Sequence, residues 1–123
     1  MLQGSPIGTA KMAEHIRKAV RECPESRIFL VGYSQGAQIV HNALSETSST
    51  DAEHIGGIVV FGDPYHPSSV QAMPFPSNLQ DKVLSIANHG DMITKGIADP
   101  TGAHLDYTRR VPEAVAWIKE RAL

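Results

Sequence analysis

A serine flanked by two glycines stands between two apolar segments of different periodicity. Residues 32–36 read Gly-Tyr-Ser-Gln-Gly, a G-x-S-x-G pattern. The four residues before it are all apolar, and the residues after it repeat apolar side chains at helical spacing. A strand, a sharp turn and a helix are therefore predicted, with Ser34 on the strained turn and its hydroxyl exposed above a sheet edge. We expect both glycines to be required, because a Cβ at either position would crowd the turn or the neighbouring helix.

Strand-like and helix-like segments alternate along the rest of the chain. Apolar runs typical of buried strands occur at residues 27–31, 58–61 and 82–87. Amphipathic patterns predict helices over residues 9–22, 35–44 and 112–122. Thr9 is the predicted N-cap of the first helix, and the Pro-rich stretch 64–76 is predicted to be a loop at the substrate rim. We predict one domain, residues 1–123, folded as a three-layer α/β sandwich with a parallel sheet of about three strands.

The composition excludes several classes of function. The formal net charge is −2 and 20% of the residues are charged, so no basic surface for nucleic acid is indicated. No apolar run approaches the length of a membrane span. No Cys/His cluster of metal-binding type occurs, and we expect neither a metal nor a cofactor. The single cysteine, Cys23, cannot form a disulfide within this chain.

A nucleophilic serine needs a base and an acid that orients the base, and after such a turn they follow in the order Ser, acid, His. The downstream candidates are Asp63, Asp81, Asp91, Asp99 and Asp106, with His54, His66, His89 and His104. Asp91 follows the third predicted strand, at the end where parallel sheets place their chemistry. His104 stands in a predicted loop that can bring it over Ser34. Asp63 also follows a strand, but we predict that it caps its turn by accepting N–H bonds. His41, far along the helix after Ser34, is predicted to be structural.

Five stretches of this sequence resemble the fungal cutinase family of serine esterases. They are residues 23–25, 32–37, 60–62, 88–91 and 104–107, and the resemblance extends from residue 6 to residue 123. The spacing of 13 residues between Asp91 and His104 also resembles the family. The resemblance implies a truncated α/β-hydrolase of cutinase type with Ser34 as nucleophile, His104 as base, Asp91 as acid and the Gln35 N–H as one oxyanion donor. We assign substrate contacts to Tyr33, Ile97 and Leu105.

The function that this resemblance implies is hydrolysis of carboxylic esters through an acyl-serine intermediate. The substrate would be a cutin-like polyester or a short-chain ester, since residues 96–103 are less apolar than their family counterpart. Residues 62–64 also resemble acetylxylan esterases, which leaves deacetylation of a polysaccharide as an alternative. A second alternative is a catalytically weak homologue that acts as an interaction protein. The resemblance implies secretion, although these 123 residues contain no signal-peptide pattern.

The chain departs from the cutinase pattern in three places. Ala87 and Thr94 occupy the positions where the family forms a small disulfide around the acid, and Cys23 has no partner. Residues 1–5 correspond to the loop before the first helix of the family. The two preceding strands, and the loop that supplies the second oxyanion donor, are therefore expected to be missing. The strand before Ser34 is then expected to be an exposed edge that is open to self-association.

Overall fold

A computed structural model describes residues 4–98 and 102–123. Its helices are α1 (Pro6–Glu22), α2 (Gln35–Ser45), α3 (Ser49–Ala52), α4 (Gly102–Leu105) and α5 (Val111–Ala122), and its strands are β1 (Ile28–Tyr33), β2 (Ile55–Phe61) and β3 (Val83–Ile86). Short 3₁₀ helices occupy Ser77–Lys82, Met92–Lys95 and Thr108–Arg110. Three predictions fall partly or wholly outside the described residues: Asp99, the middle of the stretch 96–103, and the start of the loop at residues 1–5.

The three strands form one parallel sheet in the order β1-β2-β3. Leu30 is opposite Ile58 in the first pair, and Ile58 is opposite Val83 in the second. β2 lies in the middle and is buried along nearly its whole length, which suits its apolar side chains on both faces. The predicted parallel α/β fold is confirmed. Among the described residues, β1 forms one edge of the sheet, as expected.

Two hydrophobic clusters cover the two faces of the sheet. The alternation of side chains along β2 sends Ile58 and Val60 to the face covered by α1 and α2, and Val59 and Phe61 to the face covered by α5. The structure therefore has three layers. Because the carboxyl ends of the strands are Tyr33, Phe61 and Ile86, the loops that follow them meet at one edge of the sheet.

Several element boundaries differ from the sequence prediction. α1 begins at Pro6, and its N-cap is Ser5, whose Oγ accepts a hydrogen bond from the Gly8 N–H at 3.0 Å. The prediction of Thr9 as N-cap was wrong, because proline at the first helical position fixes the helical φ earlier in the chain. β2 begins at Ile55, which is buried. The sequence predicted this strand only from residue 58, because the pair of glycines after Ile55 interrupts the apolar run. α3 begins at Ser49, within a polar Ser/Thr-rich stretch that has no helical pattern.

Part of the Pro-rich loop 64–76 packs onto the protein core. The ring of Phe75 stacks on His41 of α2 with 3.8 Å between centroids, and Tyr65 meets the same imidazole edge-on at 5.3 Å. Phe75 also packs against the cluster beneath α1 and α2. The expectation that this loop lies outside the core was therefore wrong for Phe75, whose ring covers α2, while its place at a substrate rim stays a prediction.

Candidate active site

Ser34 lies at the junction of β1 and α2 with a backbone conformation that L-residues rarely adopt. Its φ is 55° and its ψ is −120°, and it is the one non-glycine residue with positive φ in the described part of the chain. Such a conformation costs about 1–3 kcal/mol and persists only where its surroundings impose it. Here the Ser34 N–H donates to the Phe61 carbonyl at 3.0 Å, which ties the turn to the end of β2.

The two glycines of the turn have different surroundings. A Cβ on Gly32 would lie 2.6 Å from the Gly36 carbonyl oxygen and 2.8 Å from the backbone of Ala37, so the strand and helix meet only because this position has no side chain. A Cβ on Gly36 would meet nothing within 4 Å among the described atoms. The expectation of crowding is confirmed for Gly32 and was wrong for Gly36.

The structure brings Ser34, His104 and Asp91 together. His104 Nε2 is 2.9 Å from the Ser34 Oγ, and His104 Nδ1 is 2.8 Å from the Asp91 Oδ2. Because a carboxylate faces Nδ1, that nitrogen carries the proton, and Nε2 is free to accept the serine proton. Asp91 is 1% exposed and His104 is 4% exposed. This arrangement can activate the Ser34 hydroxyl as a nucleophile.

Asp91 is held by its own loop as well as by His104. Its Oδ1 accepts a hydrogen bond from the Ile93 N–H at 3.0 Å, so it caps the 3₁₀ helix Met92–Lys95. Its carbonyl accepts a bond from the Thr94 Oγ1 at 2.7 Å. Thr94 is one of the two positions at which the cutinase resemblance places a disulfide. At this position the chain therefore uses a hydroxyl hydrogen bond to hold the loop around Asp91.

His104 stands on α4, a single helical turn, whereas the sequence predicted a loop. The side-chain amide of Asn88 donates to the Ala103 carbonyl at 2.8 Å and to the Asp106 carbonyl at 2.6 Å, so it fastens the backbone on both sides of the histidine. The Tyr33 hydroxyl donates to the His104 carbonyl at 2.8 Å, and the two rings stack with 5.2 Å between centroids. These contacts fix the imidazole above the turn.

Sequence reasoning missed the role of Tyr107. Its hydroxyl donates to the Asp91 Oδ2 at 2.5 Å and accepts a hydrogen bond from the Asn88 N–H at 2.9 Å. Burial, and then the bond to Asp91, raise the pKa of the Tyr107 phenol well above its usual range. Tyr107 lies in the stretch that carries the family resemblance, but nothing in the sequence shows that it contacts the acid.

Asp63 belongs to a second Asp–His pair. Its Oδ1 accepts the Tyr65 N–H at 2.9 Å, which confirms the prediction that it caps its turn. Its Oδ2 lies 2.5 Å from the Nε2 of His41, and both side chains are buried. Gly62, just before it, has a φ of +56°, and a Cβ there would lie 2.9 Å from the His104 Nδ1. The end of β2 therefore contacts His104 through backbone, while Asp63 pairs with His41.

The remaining predicted site residues are Tyr33, Ile97, Leu105 and Gln35, and the structure brings two of them together in one groove. Tyr33 and Leu105 line an apolar groove of about 310 Å³ along the exposed edge of β1, together with Val31, Phe61, Tyr107, Thr108 and Val111. Leu105 is 69% exposed and Ile97 is 45% exposed. The hydroxyl of Tyr33 is already bonded to His104, so any contact of Tyr33 with a substrate would be made by its ring. The N–H of Gln35 begins α2 and donates to no backbone acceptor in residues 4–98 or 102–123.

Two negative findings concern the described residues only. They contain no group of three or more His, Cys, Asp or Glu side chains placed to hold a metal ion. None of the helices in these two ranges has the length and apolar character needed to cross a bilayer.

Comparison with known proteins gives one consistent result. The chain is 35% identical over 118 residues to cutinase CUT1 of Coprinopsis cinerea, covering 96% of this chain and 57% of that protein. It is 36% identical over 121 residues to a cutinase of Blumeria hordei, covering 98% and 49%. The structure superimposes on Trichoderma reesei cutinase in complex with a phosphonate inhibitor with a TM-score of 0.81 and 31% identity, covering 94% of this chain and 50% of that one.

A second solved structure has a different activity in its name. The catalytic core domain of acetyl xylan esterase from Trichoderma reesei matches with a TM-score of 0.75 and 27% identity, covering 93% of this chain and 69% of that one. The chain spans about half the length of the curated relatives it matches. The family profile for cutinase matches residues 2–122. This chain belongs to the cutinase family.

Proposed function

We propose that this chain carries the catalytic residues of a serine carboxylic ester hydrolase. The observation that carries the proposal is the continuous hydrogen-bonded line from Ser34 through His104 to Asp91, with contacts of 2.9 Å and 2.8 Å. The strained backbone of Ser34 supports it, because strain of this kind recurs where a reactive side chain must be presented. Membership of the cutinase family supports the same reaction class.

The reaction follows from the positions of the protons. His104 Nε2 takes the Ser34 proton as Oγ attacks the ester carbonyl carbon, and the carbonyl electrons move to its oxygen. Collapse of this tetrahedral intermediate breaks the bond to the alcohol oxygen, which receives the proton from Nε2. Water then attacks the acyl-serine with His104 again as base, and the acid and free Ser34 are released. Asp91 stabilises the imidazolium in both steps.

The developing oxyanion lies at the start of α2 in this proposal. The Gln35 N–H follows the nucleophile directly, and the positive end of an 11-residue helix points the same way. A donor fixed at this place lowers the barrier by about 3 kcal/mol. We therefore assign Gln35 as one oxyanion donor through its backbone, as the resemblance implies.

The proposed substrates are cutin-like polyesters or short-chain acyl esters. The apolar side chains of Ile97 and Leu105 are exposed, and Leu105 directly follows His104; apolar contacts of this kind suit an acyl chain of modest length. A cutinase that is 31% identical has been solved with a phosphonate inhibitor. Tyr33 would contribute the face of its ring to the groove that it lines together with Leu105.

Deacetylation of a polysaccharide is the second candidate. The acetyl xylan esterase core domain that resembles this structure is 27% identical and matches over 93% of this chain. An acetyl group needs little apolar surface, so this candidate also agrees with a short-acyl preference. A soluble acetylated xylan distinguishes the two candidates.

A third candidate is an interaction protein with weak catalysis. The observation that favours it is the open edge of β1, where Val31 is 51% exposed and Tyr33 is 44% exposed. Unpaired strand edges with apolar side chains bind other chains. Secretion, which the resemblance implies, is part of our proposal for all three candidates.

The test is hydrolysis of p-nitrophenyl esters of increasing acyl length by the purified chain. We expect the fastest turnover from acetate to butyrate, and no turnover in Ser34→Ala. Ser26→Ala is the matched control, since Ser26 is exposed and precedes the far end of β1. A preference for long acyl chains would reject the short-acyl substrate, and release of acetate from xylan alone would favour the second candidate. Equal turnover in Ser34→Ala and the parent chain would reject the hydrolase.

A further inference from the structure

The Asp91 Oδ2 is shared between two donors. It accepts the His104 Nδ1–H at 2.8 Å and the Tyr107 O–H at 2.5 Å, while Oδ1 accepts the Ile93 N–H at 3.0 Å. A carboxylate bonded by three donors spreads its negative charge over all of them. The imidazole therefore faces an oxygen whose charge a phenol already partly neutralises.

The direction of the Tyr107 hydroxyl is fixed by the backbone. The Asn88 N–H donates to the Tyr107 oxygen at 2.9 Å, so the phenol proton is left to point at Asp91. Tyr107 is 5% exposed, and its ring packs edge-on against Phe61 and Tyr33. A buried ring with one accepted and one donated bond has a single orientation available.

Other contacts join the same atoms to the histidine backbone. The side chain of Asn88 holds the carbonyls of Ala103 and Asp106, and Arg110 donates to the Asn88 Oδ1 at 3.2 Å. The acid, the base and Tyr107 are thus parts of one network. Within residues 4–98 and 102–123, the titratable groups in contact with His104 are Asp91 from the loop after β3, Tyr33 from β1, and Tyr107 from the segment before α5. The charge of Arg110 acts on Tyr107.

We propose that Tyr107 is a positioning residue of the triad, whose hydroxyl orients Asp91 and limits how strongly that carboxylate holds a proton on His104. The inference rests on the proposed function, because it deepens the role of the same acid and base. Without the Tyr107 hydroxyl, the negative charge of Asp91 would be less neutralised and would attract a protonated imidazole more strongly. His104 would then remain protonated to higher pH and accept the Ser34 proton less readily at neutral pH.

The experiment follows the His104 ring directly, so that it does not depend on turnover. Nitrogen-15 labelled histidine is titrated by NMR in the parent chain and in Tyr107→Phe, with His104→Gln used to assign the resonance. We expect the titration midpoint of His104 to move to higher pH in Tyr107→Phe. Tyr65→Phe is the matched control, since that phenol bonds to Asn42 and lies beside His41. An unchanged or lowered midpoint in Tyr107→Phe would overturn the proposal.

A second variant keeps the hydroxyl and covers the case in which Tyr107→Phe fails to fold. Site-specific 3-fluorotyrosine at position 107 is a stronger donor of nearly the same shape. It should move the His104 midpoint in the opposite direction, to lower pH. A shift to higher pH, or none, would contradict a role for the hydroxyl.

A single-turnover reaction separates this proposal from the proposed function. The rate at which a p-nitrophenyl phosphonate modifies Ser34 is measured against pH in the same proteins. We expect the acid limb of the profile in Tyr107→Phe to move to higher pH, with a rate about tenfold lower just below the limb. A midpoint shift without any modification of Ser34 would refute the hydrolase and keep the inference. Modification of Ser34 with the same pH profile in the parent chain and in Tyr107→Phe would support the hydrolase and refute the inference about Tyr107.

Discussion

Asp91 and Asp63 have nearly the same local setting. Each follows a strand of the parallel sheet, and each accepts an N–H bond through Oδ1 from the residue two positions further on. Each also pairs through Oδ2 with a buried histidine. The two histidines differ in what they contact, since His104 reaches Ser34 and His41 packs beneath Phe75. Asp91 also accepts a hydrogen bond from the Tyr107 hydroxyl. The chemistry of each carboxylate therefore depends on the histidine that it faces.

This difference predicts opposite results for two matched substitutions. Asp91→Asn should lower kcat for a short ester by about ten-thousandfold, because the amide favours the wrong imidazole tautomer. Asp63→Asn should retain most activity but lower the free energy of unfolding by about 1–3 kcal/mol, because a buried charged hydrogen bond is weakened. Esterase kinetics and urea unfolding of both variants measure the two effects. A collapse of kcat in Asp63→Asn alone would move the acid assignment to Asp63.

Three of the residues that the sequence singled out lie together in the structure, and each carries a signal in the sequence. Ser34 is marked by glycines and by the change of period around it, and the resemblance to cutinases assigns Asp91 and His104 by spacing. Tyr107 and Asn88 gave no such signal, because they are 19 residues apart and meet only when two loops fold together. His41 and Asp63 are 22 residues apart, and their pairing is equally a property of the tertiary structure.

The two glycines of the turn give a prediction about stability. Gly32→Ala should lower the free energy of unfolding by about 1–3 kcal/mol, since its Cβ would meet backbone atoms that cannot rotate away. Gly36→Ala should change that free energy by less than about 1 kcal/mol, since the space around its Cβ is open and alanine favours helices. Urea unfolding compares the two. Equal destabilisation would mean that Gly36 is packed against something in solution.

At the scale of elements, residues 102–110, from α4 to the start of α5, join the sheet to the candidate site. They include His104 and Tyr107, and Asn88 holds them from the loop after β3. The sequence predicted α5 within a residue of its observed start, because proline in the first turn and the apolar positions are local signals. It predicted a loop where α4 lies, because four residues are too few for a periodic pattern.

Tyr107 makes the free energy of unfolding fall as the pH rises into the alkaline range. In the unfolded chain its phenol ionises near the ordinary pKa of 10.0, whereas burial and the bond to Asp91 raise the pKa in the folded chain. The unfolded state therefore binds fewer protons above about pH 10, and the stability present below that pH is lost as pH rises toward the folded pKa. Tyr107→Phe should show a shallower fall in unfolding free energy above about pH 10 than the parent chain.

Urea unfolding between about pH 8 and pH 11 measures that slope. The fall should be reduced and not abolished in Tyr107→Phe, because burial also raises the pKa of Tyr33 and Tyr65. Phenylalanine at position 107 leaves the other two phenols to titrate. Parallel curves for the two proteins would mean that Tyr107 keeps an ordinary pKa when folded.

At the scale of the whole molecule, the described sheet ends at β1, the strand that leads into Ser34. β1 pairs with β2 on one side, and no strand of the described residues pairs with its other side. Apolar surface lies on both faces of this edge, with Val31, Tyr33 and Leu105 on one and the half-buried Met12, Ile28 and Ile39 on the other. Self-association at this edge is therefore part of our proposal. Sedimentation should show association that rises with concentration and is reduced in Val31→Lys.

The same edge bears on catalysis, since our proposal assigns one oxyanion donor, the Gln35 N–H at the start of α2, and the curated relatives are about twice as long. Loss of one donor costs on the order of 3 kcal/mol, or about a hundredfold or more in rate. We therefore expect the isolated chain to be a poor esterase despite its triad geometry. Appending the N-terminal segment of a cutinase relative should raise kcat for a short ester by about a hundredfold, whereas the same segment appended to Ser34→Ala should leave the chain inactive. Equal turnover with and without the segment would show that these residues already supply both donors.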